Sequence, residues 1–235
     1  MFFACFFPYL QNNLPSYRLV MCAKLNIAVL IYPGVEMIDM NGPIDVFIKA
    51  NGFNNGRYNI YNVAETAEPV LSEDSMVSIT PAYTLANCPA SDIIVIPGQV
   101  ISEGPPPVFG NGSEKLIAWL REMGNKPGIT IMSVCIGAYI LASTGLLAGK
   151  RVTTHYLSIK DFQEKYPDTR VIKNVRYVQD ENIVTTGGIT SGIDGALYLI
   201  EHLDGPDIAQ HVADIMVYNR DAPLPPFTLL PPYDD

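Results

Sequence analysis

The chain has 235 residues, of which 48% are hydrophobic and 17% are charged, and its formal net charge is −9. This length and composition can bury a full core, which argues against disorder and fits one α/β domain. The basic residues form no cluster or stripe, so no nucleic-acid surface is expected, and no apolar run approaches membrane-spanning length. These features favour a small molecule as the ligand.

Four scattered cysteines, Cys5, Cys22, Cys88 and Cys135, form no CxxC pair. Because the chain is rich in core residues, we expect free thiols in a reducing compartment, the cytoplasm, rather than disulfides. The histidines are far apart in the sequence and have no acid at ligand spacing, so no metal site is predicted. The run TTGGITSG lacks GxGxxG and the Lys-Ser/Thr of a P-loop, so no nucleotide cofactor is predicted.

The chain divides into three predicted segments. Residues 1–23 form an N-terminal extension that is apolar but has no basic region, and Pro8 interrupts it, so a signal peptide is only weakly indicated. Met21 is an equally good start, in which case most of this extension is not translated. Residues 24–220 form the α/β domain, and residues 221–235 form a proline-rich tail that is expected to be extended.

The first half of the domain alternates strand and helix signals. An apolar strand begins at Leu25 and ends in Pro-Gly, after which Gly42 and Pro43 open an amphipathic helix that Asn-Gly closes. Further strands are predicted in YNIYNVA, in SMVSITPAYTL (a short strand or hairpin) and in SDIIVIPG. Residues 99–111 are predicted to form a surface loop, and SEKLIAWLREMG a helix with a serine cap and Gly124 beyond its end.

The second half continues this alternation. GITIMSV is a buried strand, IGAYILASTGLLAG a small apolar helix, and YLSIKDFQEKY a helix that follows the strand VTTH. The paired runs RVIKNVRYVQ and NIVTTGG precede a tight turn with Ser191 as N-cap and two last helices, SGIDGALYLIEHL and PDIAQHVADIMVYN. This order predicts a doubly wound parallel sheet with helices on both faces. Such sheets bind ligands beyond the carboxyl ends of their strands, here after Tyr32, Ile96, Val134 and Thr154.

Cys135 is the strongest candidate nucleophile. It directly follows the strand GITIMSV and precedes a helix, and Ser133 and Gly137 lie two residues to either side, which is the spacing of a nucleophile elbow. The positive end of the helix dipole is expected to lower the pKa of this thiol, and the Ile136 N–H is expected to point toward developing negative charge. The alternative is a small, buried hydrophobic side chain, as most free cysteines are.

The loop PGVEMIDMNGP after the first strand contributes two acids, Glu36 and Asp39. An acid that is buried beside a thiolate has a raised pKa, and it then holds a proton for the sulfur or for the substrate. Asp39 is explained equally well as an N-cap or first-turn acid that the helix dipole favours.

Two further residues are predicted at the same edge of the sheet. The backbone of Gly98, in VIPGQ, can approach a ligand closely and donate to an oxyanion, although a Pro-Gly turn is also ordinary turn chemistry. His155, at the end of VTTH, is a candidate general base or proton carrier, and a histidine satisfied by the loop backbone is the alternative.

Together these residues resemble the ThiJ/PfpI (class I glutamine amidotransferase-like) superfamily, whose fold is flavodoxin-like with a cysteine on a nucleophile elbow. The resemblance spans residues 25–227. It is carried by PGVEMIDMNGPIDVF, DIIVIPG, SVCIGAYILASTGLLAGKRVTTH, TTGGITSGIDGALYLIE and PLPPF. These runs are most similar to the branch that includes isonitrile hydratases and the ligand-sensing domains of AraC-type regulators.

The resemblance implies roles for individual residues. Cys135 is the implied nucleophile and Asp39 its hydrogen-bonded acid partner, while Gly98 and Ile136 are the implied backbone donors. A homodimer is also implied, with the active site close to the subunit interface, and no cofactor is implied.

Two positions depart from this branch. Gln99 stands where the branch commonly has a second glycine, and Ile136 stands where isonitrile hydratases typically have threonine and the superfamily's proteases have histidine. Gln99 and His155 are therefore candidate accessory residues, and peptide hydrolysis is not expected. The sequence contains no helix-turn-helix domain, so a DNA-binding regulator is not expected either.

The leading hypothesis is a cofactor-independent, isonitrile hydratase-like lyase. In this reaction the Cys135 thiolate attacks the isocyanide carbon, Asp39 delivers a proton, and the thioimidate is hydrolysed to a formamide. One alternative is a glyoxalase-like enzyme that acts on 2-oxoaldehydes with help from His155. Another is a non-enzymatic small-molecule or redox sensor in which Cys135 oxidises to a sulfinate stabilised by Asp39.

Overall fold

The computed structural model describes residues 24–99 and 112–224. The predictions for residues 1–23, for the surface loop from residue 100 to 111 and for the tail from residue 225 fall outside the described residues.

Strands and helices alternate along the described chain. The strands are β1 (Leu25–Leu30), β2 (Tyr58–Ala64), β3 (Val70–Leu71), β4 (Ser78–Ile79), β5 (Tyr83–Thr84), β6 (Ile93–Ile96), β7 (Thr130–Val134), β8 (Arg151–Val152), β9 (Arg170–Val171), β10 (Tyr177–Asp180) and β11 (Ile183–Thr186). The α-helices are α1 (Met37–Ala50), α2 (Glu114–Gly124), α3 (Gly137–Ser143), α4 (Ile159–Lys165), α5 (Ser191–Asp204) and α6 (Pro206–Ile215). Short 3-10 helices span Glu73–Ser75 and Tyr156–Ser158. None of the helices in these two ranges is long and apolar enough to cross a membrane.

The central sheet has seven strands in the order β10-β11-β7-β6-β1-β2-β5. All neighbours pair in parallel except β10 and β11, which form an antiparallel hairpin at one edge. Helices cover the sheet, with α1, α5 and α6 packed against one another and α2 packed against α3. All four residues of β6 are therefore buried, as are the last four residues of β1. The predicted doubly wound α/β fold is confirmed.

The strand order reverses between β1 and β6. From β1 the chain continues to β2 on one side, and from β6 it continues to β7 on the other. The carboxyl ends of β1, β6 and β7 meet at this switch point, which is where ligands of doubly wound sheets bind.

Helix α1 begins earlier than the sequence analysis predicted. It begins at Met37 rather than at Gly42, because the Glu36 side chain caps it by accepting the Asp39 N–H at 2.7 Å. Pro43 lies inside the helix, where its missing N–H removes the bond that the Asp39 carbonyl would accept. Asp39 therefore lies in the first turn of a helix and not in a loop.

Three further predictions concern the ends of α2, the start of α5 and the end of the strand before His155. The predicted Ser113 cap of α2 is confirmed, since its hydroxyl accepts the Leu116 N–H at 3.1 Å, but Gly124 is the last helical residue. Thr190, rather than Ser191, is the N-cap residue of α5, and its side chain makes no capping bond. The strand before His155 ends at Val152 and pairs with β9, outside the central sheet.

Candidate active site

Cys135 lies on the turn between β7 and α3. Its backbone has a φ of +56°, a left-handed conformation that residues other than glycine rarely adopt. Two neighbouring segments hold this turn: the Cys135 N–H donates to the Thr186 carbonyl at 3.2 Å, and the Thr154 hydroxyl donates to the Cys135 carbonyl at 3.0 Å. Strained backbone that its surroundings enforce in this way is concentrated at functional sites.

The second residue after the cysteine, Gly137, has to be small. A Cβ on Gly137 would lie 2.3 Å from the Ile96 carbonyl oxygen and 2.5 Å from the Pro97 carbonyl oxygen, so no side chain fits. Helix α3 can therefore start directly against the end of β6, which brings Cys135 to the switch point.

Asp39 is fully buried beside this turn. Its Oδ2 accepts the Gly98 N–H at 2.8 Å, and its Oδ1 has no nitrogen or oxygen partner among the described residues. A Cβ on Gly98 would lie 2.5 Å from Asp39 Oδ2 and 3.0 Å from Cys135 Cβ, so both side chains pack against the bare glycine. The Cys135 thiol, which lies on the other side of Gly98, lowers the pKa of the Asp39 carboxyl. Gly98 thus directs its N–H to the Asp39 carboxyl, whereas the sequence predicted that this N–H would donate to an oxyanion.

Burial controls the protonation of both groups. It raises the pKa of the Asp39 carboxyl well above its usual value, and the neighbouring Glu36 carboxylate raises it further. Burial, with the charge of Asp39, also raises the pKa of the Cys135 thiol, although the N–H groups of Ile136 and Ile189 oppose this. The expected lowering of the thiol pKa is therefore wrong, because desolvation outweighs a helix of only seven residues. Burial therefore favours the protonated form of both groups.

Two residues at this site were not proposed from the sequence. The Tyr32 hydroxyl donates to the Pro97 carbonyl, and burial raises the pKa of Tyr32, with smaller contributions from the charges of Asp39 and Cys135. The only signal for Tyr32 was its position just after β1. The Ile189 N–H lowers the pKa of the Cys135 thiol, and Ile189 has a φ of +39°, which is unusual for a β-branched residue. The pairing of β11 with β7 brings Ile189 there, and that pairing cannot be read from local sequence.

His155 lies against Gly188, which is also beside the Cys135 sulfur. A Cβ on Gly188 would lie 2.6 Å from the His155 ring and 3.4 Å from the Cys135 sulfur. The Nδ1 atom is buried without a partner among the described residues, and burial lowers the pKa of His155 to about 4. The ring is therefore neutral at physiological pH, and it borders a cavity of about 240 Å³ that the start of α5 also lines.

Gln99 is the other candidate accessory residue. It forms an isolated antiparallel bridge with Val35 and, with Tyr32, lines a cavity of about 590 Å³. Across residues 24–99 and 112–224, no cluster of three or more histidine, cysteine or acidic side chains is placed to hold a metal ion. In the same ranges Cys88 and Cys135 are free thiols.

A doubly wound sheet with a strained elbow cysteine and a buried acid at its switch point defines a class of α/β proteins. Residues 25–202 match the DJ-1/PfpI family, and the chain belongs to that family. It is 34% identical to the isonitrile hydratase of Pseudomonas putida over 86% of this chain and 81% of that protein. It is also 29% identical to the HTH-type transcriptional regulator CdhR of Pseudomonas aeruginosa over 83% of this chain, but it spans only 55% of that regulator.

Solved structures show the same fold. A ThiJ/PfpI family protein from Pseudomonas syringae superposes with a TM-score of 0.72 at 28% identity, covering 94% of this chain and 85% of that one. An AraC family transcriptional regulator from Pseudomonas putida superposes with a TM-score of 0.70 at 18% identity, covering 82% of this chain and 99% of that one. Similarity therefore extends to one enzyme and to regulators, and the choice between them depends on the site.

Proposed function

We propose that the protein is a cysteine-dependent lyase that hydrates isocyanides to N-substituted formamides without a cofactor. The observation that carries this proposal is the Asp39–Cys135 pair, in which a buried acid with a raised pKa lies against a nucleophile on a strained turn. The similarity to an isonitrile hydratase over most of both chains supports isocyanides as the substrate class.

The pair supplies both groups that isocyanide hydration needs. The terminal carbon must receive a nucleophile and a proton, and the Cys135 and Asp39 side chains both pack against Gly98. The thiolate forms a C–S bond while the Asp39 proton passes to the same carbon, which gives a thioimidate. Water then adds to that carbon, with one of its protons going to Asp39 and the other to the nitrogen; the C–S bond breaks, which restores the thiolate, and the formamide leaves. The N–H groups of Ile136 and Ile189 stabilise the thiolate before attack and after release.

Isocyanide turnover tests this proposal directly. Cyclohexyl isocyanide is mixed with wild-type protein, with Cys135→Ala and with Cys88→Ala, a matched control at the other free thiol, and formamide is followed. We expect Cys88→Ala to match wild type and Cys135→Ala to lose about 10⁴-fold or more of the rate. Turnover that survives Cys135→Ala overturns the mechanism. No wild-type turnover across a panel of alkyl and aryl isocyanides overturns the assignment, and methylglyoxal in the same panel tests glyoxalase chemistry.

A second candidate is a redox sensor. It is favoured by two residues that depart from the hydratase pattern, Ile136 and Gln99, and by the 29% identity to a transcriptional regulator. Two molecules of hydrogen peroxide would convert the thiol to a sulfinate and release two of water, with the sulfinate lying beside Asp39. Mass spectrometry after mild peroxide treatment checks this: a sensor gains two oxygen atoms selectively at Cys135 and shows no isocyanide turnover.

We also propose that the protein is a cytoplasmic homodimer with the active site near the subunit interface. The hairpin of β3 and β4 lies against the loop between β1 and α1, because the Gly34 N–H donates to the Leu71 carbonyl at 2.9 Å. Around this loop, large apolar side chains are exposed in a patch that a second copy would cover: Ile38, Leu71, Met76 and Val77. Light scattering in solution tests this, and a monomeric mass overturns it.

A further inference from the structure

The peptide group between Pro97 and Gly98 lies between the side chains of Tyr32 and Asp39. Its carbonyl, on Pro97, accepts the Tyr32 hydroxyl, and its N–H, on Gly98, donates to Asp39 Oδ2 at 2.8 Å. Two hydrogen bonds therefore run in series from a phenol, through one planar peptide, to a buried carboxyl. The isocyanide chemistry proposed above uses Asp39 but assigns no role to Tyr32.

We propose that Tyr32 is a positioning residue for that chemistry, on which this inference rests. Its hydroxyl holds the Pro97–Gly98 peptide in place and strengthens Gly98 as a donor, so that Asp39 Oδ2 stays an acceptor and the transferable proton lies on Oδ1. Oδ1 has no nitrogen or oxygen partner among the described residues, so no other hydrogen bond has to break when its proton leaves. Hydrogen bonds in series polarise one another, by roughly 10–30% per bond.

A tight turn after β1 places the phenol against this peptide. The Val35 N–H donates to the Tyr32 carbonyl at 3.0 Å, and Gly34 has a φ of +80°, which is typical of a turn with Pro-Gly at its centre. The chain beyond the turn is joined to the same peptide segment, since the Glu36 N–H donates to the Gly98 carbonyl at 3.0 Å. These backbone bonds do not depend on the phenol hydroxyl, so they should survive its removal.

Two glycines allow the peptide to fit closely between its neighbours. A Cβ on Gly137 would lie 2.5 Å from the Pro97 carbonyl oxygen, and a Cβ on Gly98 would lie 2.5 Å from Asp39 Oδ2. The carbonyl end thus packs against the start of α3, and the N–H end packs against the acid. Because the peptide is planar and rigid, a change in hydrogen bonding at one end is transmitted to the other.

The electrostatics of both end groups agree with this arrangement. Burial raises the pKa of Tyr32, with smaller contributions from the charges of Asp39 and Cys135, so the phenol keeps its proton and acts as a donor. The Gly98 N–H lowers the pKa of the Asp39 carboxyl, against the larger effect of burial. Removing the Tyr32 hydroxyl weakens this N–H as a donor, so the pKa of Asp39 should rise further.

Titration of Asp39 tests the inference without requiring turnover. In protein labelled with carbon-13 at the aspartate carboxyls, the Asp39 resonance is assigned by its absence in Asp39→Asn and is followed against pH. Tyr61→Phe is the matched control, because the Tyr61 hydroxyl donates at 3.1 Å to the carbonyl of Pro89, at the opposite end of β6. We expect the pKa of Asp39 to rise by about 0.5 or more in Tyr32→Phe and by about 0.1 or less in Tyr61→Phe. Equal pKa values in wild type and Tyr32→Phe overturn the inference.

A stronger donor at the same position should act in the opposite direction. 3-Fluorotyrosine, incorporated in place of Tyr32, keeps the ring and the hydroxyl but has a more acidic phenol. We therefore expect it to lower the pKa of Asp39 by about 0.2 or more. If the pKa of Asp39 rises in both this variant and Tyr32→Phe, the ring acts only through packing, and the inference is wrong.

Turnover separates this inference from the proposed function. In Tyr32→Phe we expect kcat for cyclohexyl isocyanide to fall about fivefold or more and KM to stay within about twofold, because Asp39 becomes a weaker and less well placed acid. If the pKa of Asp39 responds as expected but wild type hydrates no isocyanide, the role of Tyr32 stands and the proposed reaction fails. If isocyanides are hydrated but Tyr32→Phe leaves kcat unchanged, the role of Tyr32 fails and the reaction stands.

Discussion

Two buried aspartates lie in the first turns of helices that pack against each other, Asp39 in α1 and Asp194 in α5. They are 0% and 6% exposed, and burial raises the pKa of both carboxyls. At Asp194, Oδ2 accepts from the Arg176 guanidinium at 3.0 Å and from the Tyr218 hydroxyl at 2.8 Å, and both partners lower its pKa. At Asp39 the charged group with the largest effect on the pKa is another acid, Glu36, which raises it.

The comparison shows that burial of an acid does not by itself indicate function. Asp194 is held by a cation, and Arg176 also donates to the Ala222 carbonyl at 2.8 Å, so this ion pair fastens the chain after α6 to the rest of the domain. Asp39 accepts the Gly98 N–H and, among the described residues, forms no ion pair. Partners, rather than depth, distinguish a structural acid from a reactive one.

The largest expected effect is on turnover in Asp39→Asn. The amide oxygen still accepts the Gly98 N–H, but the side chain no longer carries a transferable proton, so the isocyanide hydration rate should fall about 10²- to 10⁴-fold. The free energy of unfolding should stay within about 1 kcal/mol of wild type or rise, because a buried carboxyl without a cation is removed. Rate measurements and urea unfolding of one preparation check both halves. A stable variant with wild-type turnover would remove Asp39 from the mechanism.

The next largest effect is on stability, in Asp194→Ala. The variant leaves the Arg176 guanidinium, which is 20% exposed, without its carboxylate, and we expect a loss of about 3–5 kcal/mol in the free energy of unfolding. Turnover per folded molecule should stay within about twofold of wild type, since Asp194 does not touch the reactive pair. Asp180→Ala, which breaks a pair with the more exposed Arg151, is the matched control and should cost about 1 kcal/mol or less. If Asp194→Ala lost activity but not stability, the contrast between the two acids would collapse.

The smallest effect is a pH dependence from His155, a half-buried residue whose buried Nδ1 has no partner among the described residues. Because burial lowers its pKa from 6.5 to about 4, the stability it contributes is complete above pH 6.5 and is lost as pH falls through the lowered value. Wild type should therefore lose about 3 kcal/mol more than His155→Gln between pH 7 and pH 4. Urea unfolding at several pH values measures this. The exposed His202→Gln should follow wild type, and parallel curves for His155→Gln and wild type would contradict the lowered pKa.

The strands that position this site were predictable from the sequence. Apolar runs ending in Pro-Gly or in the cysteine marked the buried strands β1, β6 and β7. Because parallel strands end at one edge, Asp39, Gly98 and Cys135 were expected close together, and the structure places all three in contact around Gly98.

What could not be predicted depends on contacts between distant segments. The start of α1 was misplaced because the Gly42-Pro43 pair imitates a helix start, while the Glu36 cap works through a side-chain geometry that spacing alone does not establish. The thiol pKa was predicted in the wrong direction because desolvation depends on how completely the neighbours cover Cys135. The Ile189 donor arrives through strand pairing across 54 residues, beyond the reach of any local pattern.

The left-handed backbone of Cys135 has a consequence for protein engineering. Glycine adopts a φ of +56° without strain, so glycine at this position would relax the turn that the cysteine distorts. A library sorted for thermal stability alone would therefore enrich glycine at position 135 and discard the nucleophile. Any directed evolution of this scaffold has to select on reactivity in every round, because heat resistance and chemistry make opposite demands on the same residue.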